Sequence, residues 1–190
     1  MNAPTRPPRA VSVTQAGEPD GFEIVAGYHA EVDFSGTTRL MLSVPTAFLE
    51  RVHRDLVKQL DPPLGLLYRQ KVDRRSPRPE GAPPVDFVSL ELRPQRVLDA
   101  LAACAGLVYH DARAEIWVRG RGGEQVILDP DGVLFCYPDD PSFRDVARMY
   151  GLSDGKVETL LERDYVRHHF DAANDALEDR LIEILGLERM

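Results

Sequence analysis

The sequence predicts an α+β fold: a mostly antiparallel sheet of about seven strands, two helices packed on it, and a C-terminal helical hairpin. Apolar and polar residues alternate over residues 22–34, which is typical of a strand with one solvated face. Apolar residues recur at helical spacing over residues 45–60. Short apolar runs separated by turn residues fill residues 64–137, which favours further strands.

The alternation over residues 22–34 predicts that one face of the first strand is buried, because every second side chain is apolar. This face carries Phe22, Ile24, Ala26, Tyr28, Ala30, Val32 and Phe34. Gly36 then marks a turn, and the next strand is predicted over residues 39–44.

Two helices are predicted between later strands. The first runs through residue 60 and is ended by Asp61, Pro62 and Pro63. The second starts at Pro94, since proline fits the first turn of a helix, and it ends at Gly106. The remaining strands are predicted at residues 64–73, 85–92, 107–110, 113–119, 124–128 and 133–137.

The alternation in strand 113–119 separates its two faces. Ile116 and Val118 lie on one face, and Trp117 lies on the other. The turns on either side of the following strand are predicted at Gly120–Gly123 and at Asp129–Gly132.

The last third of the chain predicts helices. Asp140 and Pro141 begin one helix, and Gly151 ends it. An apolar stripe from Val157 to Leu185 then predicts one long amphipathic helix or two shorter ones.

These patterns predict three regions. Residues 1–20 are rich in proline and polar residues and are expected to form a disordered tail. Residues 21–138 form the α+β sheet domain, and residues 139–190 form a helical region packed on it or appended to it.

Composition indicates a soluble, cytoplasmic protein. The chain of 190 residues carries a net charge of −8, which disfavours nonspecific binding to nucleic acid or membranes. It has no apolar run of transmembrane length and no secretory h-region. Cys104 and Cys136 are expected to be buried free thiols, although a disulfide between them is an open alternative.

Motifs for catalysis and for cofactors are absent from the sequence. It contains no phosphate-binding glycine loop before a helix, no nucleophile elbow and no metal-ligand pair of recognised spacing. We therefore expect no catalytic residue, no metal and no cofactor.

A basic run is the first candidate binding site. It joins the solvated face of a strand to a proline-rich loop and consists of Arg69, Lys71, Arg74, Arg75 and Arg78. Such a run could dock an acidic partner. Our leading hypothesis is a non-enzymatic protein-binding module, a regulatory or neutralising partner of another protein, as immunity and antitoxin proteins are. The alternative is a charged, solvated edge strand.

Residues 143–162 provide a second hypothesis, because they fit a helix-turn-helix template. Ala147 is small where the helices would cross, and Gly151 lies in the turn. A DNA-binding regulator would then expose a face that includes Ser153, Lys156, Thr159 and Arg163. Acidic neighbours on that face disfavour DNA, so a plain helical hairpin is the alternative. Residues 157–185 could form homodimer contacts.

A third hypothesis is an enzyme with a pocket between the sheet and the C-terminal helices. A deep cleft lined by His110, Asp111 or His168 would support it.

Overall fold

The computed structural model describes residues 7–79, 81–167 and 171–190. Five α-helices and eleven strands are present in these residues. In chain order they are β1 (Ala10–Ser12), β2 (Gly27–Val32), β3 (Thr38–Ser43), α1 (Thr46–Val57), β4 (Leu64–Gln70), β5 (Val85–Leu92), α2 (Pro94–Ala103), α3 (Ala105–His110), β6 (Ala114–Arg119), β7 (Gln125–Leu128), β8 (Leu134–Tyr137), α4 (Pro141–Met149), β9 (Ser153–Asp154), β10 (Tyr165–Arg167), α5 (Asp175–Leu185) and β11 (Glu188–Arg189). Short 3-10 helices cover Leu160–Glu162 and Ala172–Asn174.

A sheet of nine strands forms the centre of the molecule. Its strand order is β11-β5-β4-β6-β7-β8-β3-β2-β9. Every neighbouring pair is antiparallel except β2 with β9. The prediction of a mostly antiparallel sheet is therefore confirmed. The strand count differs because the two-residue strands β9 and β11 extend the edges.

All five helices contribute to one core on one face of this sheet. Alternate residues of β4, among them Leu64, Leu66 and Tyr68, are fully buried there. They join side chains such as Leu56 of α1 and Phe143 of α4 in one cluster. Because strand side chains alternate, the residues between them face the opposite side. That opposite side has a small cluster of its own, to which no helix in the described ranges contributes.

The segment predicted as a strand at residues 107–110 is helical. α2 ends at Ala103, and the chain enters α3 after Cys104. The amide of Val108 donates to the carbonyl of Cys104 at 3.0 Å, the hydrogen bond between residues i and i+4 that is typical of an α-helix. A four-residue apolar run fits a buried helix as well as a buried strand, so periodicity alone did not distinguish them.

The predicted C-terminal helical hairpin is wrong. α4 ends at Met149, but residues 153–162 contain no α-helix. Ser153 instead donates its amide to the carbonyl of Ala26, which places this segment beside β2. Gly155 has a φ of 135°, which no helix interior allows. The long amphipathic helix is reduced to α5, and part of the predicted stripe lies at residues 168–170, outside the described residues.

The predicted buried face of the first strand is only partly buried. β2 begins at Gly27, and Tyr28 is buried beside α4. Val32 and Phe34, farther along, are 67% and fully exposed. Alternation predicted the strand, but helix cover determines how much of its face is buried.

Residues 7–20 do not form the disordered tail that composition predicted. β1 pairs antiparallel with β10, and Arg9 is buried. The guanidinium of Arg9 donates to three backbone carbonyl groups, including that of Pro130 at 3.2 Å. Residues 1–6 lie outside the described residues. The described ranges contain no helix with the length and apolar character needed to cross a membrane.

Candidate functional site

An apolar row crosses the sheet on the face opposite the helices. Its members lie on five adjacent strands and are register neighbours, in the order Leu67, Trp117, Ile127, Phe135 and Met41. The strand neighbours of these residues point into the helix-side core, so the row itself must point away from it. We call this side of the sheet the open face.

Arg39 covers the centre of the open face. Its guanidinium carbon lies 4.0 Å from the ring centroid of Phe135 and 5.8 Å from that of Tyr137. Nη1 donates to the Tyr137 hydroxyl at 2.8 Å, and Nε donates to Glu31 at 2.8 Å. Phe135 and Met41 are therefore buried by neighbouring side chains rather than by a packed helix.

Two adjoining cavities follow the apolar row. One has a volume of about 690 Å³, and the other has a volume of about 500 Å³. Trp117 and Gln125 line both. The two cavities therefore adjoin on this face of the sheet, and we call them together the groove.

A rigid turn forms one wall of the groove at the β3 end. The carboxylate of Asp33 accepts hydrogen bonds from the amides of Ser35 and Thr37, each at 2.9 Å, and from the Ser35 hydroxyl at 2.7 Å. The bond from that hydroxyl is the main cause that lowers the pKa of Asp33. The turn carries Phe34, which lines the groove while remaining fully exposed.

The turn between β7 and β8 forms another wall. Asp129 accepts hydrogen bonds from the amides of Asp131 and Val133 at 2.9 and 2.8 Å. Burial, and then the charge of Asp131, raise the pKa of Asp129 to about 7. Asp131 itself is held by the guanidinium of Arg167 at 2.7 Å.

Ion pairs surround Trp117. Its Nε1 donates to Glu115 at 2.9 Å, and Lys71 contacts the other carboxylate oxygen of Glu115 at 2.7 Å. Arg69 forms a bidentate pair with Asp86 and lies 5.1 Å from the Trp117 ring centroid. Of the predicted basic run, Lys71 thus lines the groove, and Arg69 lies beside it, next to the Trp117 ring.

The other three members of that run bind within the chain. Arg74 pairs with Asp175 of α5, and Arg75 pairs with Asp179 of the same helix. Arg78 donates to three backbone carbonyl groups around its own loop. The run therefore ties its loop to α5, and each of its cations already has a partner.

The predicted DNA-binding residues do not share a helix face. Ser153 lies in β9, and Lys156 pairs with Glu162 at 2.6 Å. Thr159 is buried and caps the following 3-10 helix. Arg163 is paired with two carboxylates. The second helix of the predicted helix-turn-helix is missing, so this geometry offers no recognition helix.

The side of the sheet that faces α5 holds a buried polar network rather than an open cleft. Arg113 makes a bidentate pair with Asp111, and its Nη1 approaches Glu178 at 3.4 Å; all three side chains are fully buried. Neither His110 nor Asp111 lines either cavity of the groove. His168 lies outside those ranges.

The cysteines are buried free thiols, and burial raises the pKa of both Cys104 and Cys136. In the part of the chain that the structure describes, no three His, Cys, Asp or Glu side chains are arranged to hold a metal ion.

The far end of the groove is formed by β4, β5 and the β6–β7 hairpin. Gly65 lies in its floor, where an added Cβ would come within 3.1 Å of Leu90. Leu90 is 70% exposed. Arg119 and Arg121 line the same cavity and are exposed. Neither makes an ion pair with any described residue.

Sequence reasoning missed the groove, although one signal pointed to it. The alternation in strand 113–119 placed Trp117 away from Ile116 and Val118. That placement is confirmed. The contact between Arg39 and Phe135 could not be predicted, because it depends on the strand order and no pattern within one strand indicates it.

Comparisons with known proteins add no assignment to this site. A scan against protein-family models, a search of curated proteins and a search of solved structures each find no match to this chain.

Proposed function

We propose that this chain is a protein-binding module that docks an extended segment of a partner protein in the groove. One observation carries the proposal: an apolar row crosses five strands, and no helix in the described ranges packs on it. Met41, Ile127 and Phe135 of this row are buried beneath neighbouring side chains, so the accessible apolar surface consists of the half-buried Leu67 and Trp117 and the exposed Phe34 and Leu90. Exposed apolar surface with a polar rim is typical of an interaction site. Regulation or neutralisation of the partner is the role we propose for such binding.

The length of the groove suits an extended segment. From β3 to β5 it spans five intervals between adjacent strands. At about 4.8 Å for each interval this distance is about 24 Å. An extended chain advances roughly 3.3 Å per residue, so about seven residues cover the groove.

The side chains of the groove support binding to protein. Trp, Tyr and Arg are enriched among residues that dominate interface energies, and the groove presents Trp117, Tyr137 and Arg39. Arg39 is paired with Glu31, and Lys71 is paired with Glu115. Burying an unpaired charge costs free energy. A partner that covers these two ion pairs avoids that cost, because each charge keeps its counter-charge.

A phage-displayed library of random twelve-residue peptides provides a direct test. The wild-type chain and a Trp117→Ala variant are each used as bait, and the selected peptides are then measured as synthetic peptides by calorimetry. We expect the wild type to select peptides that the Trp117→Ala variant binds at least about tenfold more weakly, because truncation of a central aromatic anchor costs more than 1.4 kcal/mol.

Met149→Ala is the matched control, since it removes an exposed apolar side chain from α4, on the helix side of the sheet. It should leave peptide binding unchanged. The proposal fails if no peptide is selected, or if Met149→Ala weakens binding as much as Trp117→Ala does. It also fails if the wild type is a dimer that Trp117→Ala converts to monomers, because the groove would then be occupied by a second copy.

A further inference from the structure

The charges that line the groove are mostly paired, with one local exception. Three of the five cations that line it contact a carboxylate: Arg39, Lys71 and Arg167. Arg119 and Arg121 contact none in the described ranges. They lie together at the β6–β7 hairpin, so the unpaired positive charge is concentrated at one end of the groove.

The carboxylates of the groove do not neutralise these two arginines. Asp33 and Asp129 cap their own turns, and Asp131 pairs with Arg167. Glu91 lines the same cavity, and Asp61 and Glu124 flank the hairpin, but none of these three carboxylates makes an ion pair with either arginine. The two guanidinium groups therefore keep hydrogen-bond donors that no described residue uses, in a chain whose total charge is −8.

The hairpin that carries the arginines is held in place. The amide of Arg121 donates to the carbonyl of Asp61 at 2.8 Å, and the amide of Gly120 donates to the carbonyl of Glu124 at 2.8 Å. Arg119 extends β6 two residues beyond Trp117 on the same face. The Trp117 ring and the Arg119 side chain are thus neighbours on one face of β6, where a segment that crosses this strand can contact both.

We infer that the segment bound in the groove carries an apolar residue against Trp117 and an Asp or Glu residue over Arg119 and Arg121. This inference rests on the proposed function and specifies the chemistry of the partner. A carboxylate there gains hydrogen bonds to guanidinium groups that make no side-chain hydrogen bond or ion pair with a described residue, and Arg is well suited to bidentate carboxylate recognition.

Charge reversal tests the inference. The same peptide library is selected on the Arg119→Glu, Arg121→Glu double variant and on an Arg51→Glu, Arg180→Glu control. The control changes net charge equally but acts at exposed positions of α1 and α5. We expect wild type and control to select peptides with an excess of Asp and Glu. The double variant should lose that excess and bind the acidic peptides at least about tenfold more weakly.

Two further readouts separate the outcomes. Replacing the acidic residues of a selected peptide by Asn or Gln should weaken wild-type binding and leave the double variant unaffected, and Glu91→Gln should strengthen binding of the acidic peptide. Trp117-dependent peptides without an acidic excess, or equal losses in the control, would overturn the inference while leaving the proposed function intact. A selection that yields no peptide would instead count against the proposed function.

Discussion

The guanidinium of Arg39 lies 4.0 Å from the ring centroid of Phe135, on the adjacent strand of the open face. The arginine also donates to Glu31 and to the Tyr137 hydroxyl, so both its charge and its plane are fixed. An apolar ring on an uncovered sheet face is thereby shielded from water without a helix. The same arrangement leaves the guanidinium of Arg39 and the partly exposed ring of Tyr137 available to a partner.

Arg39→Lys should weaken peptide binding while changing stability little. Lysine keeps the charge opposite Glu31 but lacks the planar fork that stacks on Phe135. We expect the free energy of unfolding to fall by about 0.5–1 kcal/mol. Arg51→Lys is the control, because Arg51 stacks on Phe48 at 5.2 Å on α1, away from the groove. Urea unfolding and calorimetry measure the two effects, and equal binding losses in both variants would contradict the prediction.

Phe34→Ser should reduce peptide binding without destabilising the fold. The side chain is fully exposed, and the turn beneath it is held by Asp33 rather than by the ring. We expect the free energy of unfolding to stay within about 0.5 kcal/mol of the wild type. Leu161→Ser, at an exposed apolar position outside the groove, should leave both quantities unchanged. A marked loss of stability in Phe34→Ser would show that the ring packs within the chain.

Glu178→Ala should destabilise the protein strongly. The carboxylate accepts hydrogen bonds from the Tyr68 hydroxyl at 2.5 Å and from Gln70 at 2.9 Å, and it pairs with Arg113 and Arg75. Removing one member of a buried charged network leaves its partners unsatisfied, at a cost of about 3–5 kcal/mol. Urea denaturation measures the change. Glu183→Ala, on an exposed position of the same helix, should change stability by less than about 0.5 kcal/mol.

The contribution of Asp129 to the free energy of unfolding should fall as pH rises from about 4 to about 7. The folded pKa is raised to about 7, above the value near 3.9 of an unfolded aspartate. The folded state therefore binds more protons within this window, and the slope of unfolding free energy against pH is negative.

Asp129→Asn isolates that contribution, because an amide oxygen can still accept hydrogen bonds from Asp131 and Val133. We compare the unfolding free energy of the variant with that of the wild type at each pH. This difference should favour the variant more at pH 8 than at pH 5, by an amount on the order of 1 kcal/mol or more. Urea unfolding at the two pH values measures it. An identical difference at both pH values would show that Asp129 titrates normally.

Both thiols should be unreactive in the folded protein. Cys104 and Cys136 are fully buried, and burial raises the pKa of each, so little thiolate forms at pH 8. A chromogenic disulfide reagent should detect no rapid reaction without denaturant and two thiols per chain in urea. Fast reaction of one thiol under native conditions would contradict its burial.

The local predictions succeeded where one segment contains the whole signal. The strands at 64–73, 85–92, 113–119, 124–128 and 133–137 all exist within a few residues of their predicted bounds. The helix through residue 60 and the helix from Pro94 exist too. The helix predicted over residues 153–162 is wrong, although the apolar residues there have helical spacing. The amide of Gly155 donates to the carbonyl of Tyr28 in β2, and Gly151 and Gly155 adopt positive φ, so the backbone of this segment is not helical.

Runs of charged residues were less informative about binding sites, because the sequence does not show which residues of opposite charge pair with them in the fold. The run from Arg69 to Arg78 was predicted as a docking surface, yet Asp86, Glu115 and α5 supply its counter-charges. Those acidic residues are distant in sequence and reach the run only through the fold. Conversely, the sequence analysis gave no special role to Arg119, at the end of a predicted strand, or to Arg121, in the predicted turn, and only the structure shows that neither pairs with a carboxylate among the described residues.

The sequence by itself determined the fold class, most of the strands, and the outward direction of Trp117, since alternation and helical spacing are properties of short segments. Only the tertiary structure decided which sheet face the helices cover, which charges are paired, and that five strands align one apolar row. Those features depend on strand order and helix placement, which bring residues as distant as Arg39 and Phe135 into contact. The groove is therefore a property of the assembled sheet and not of any one of its strands.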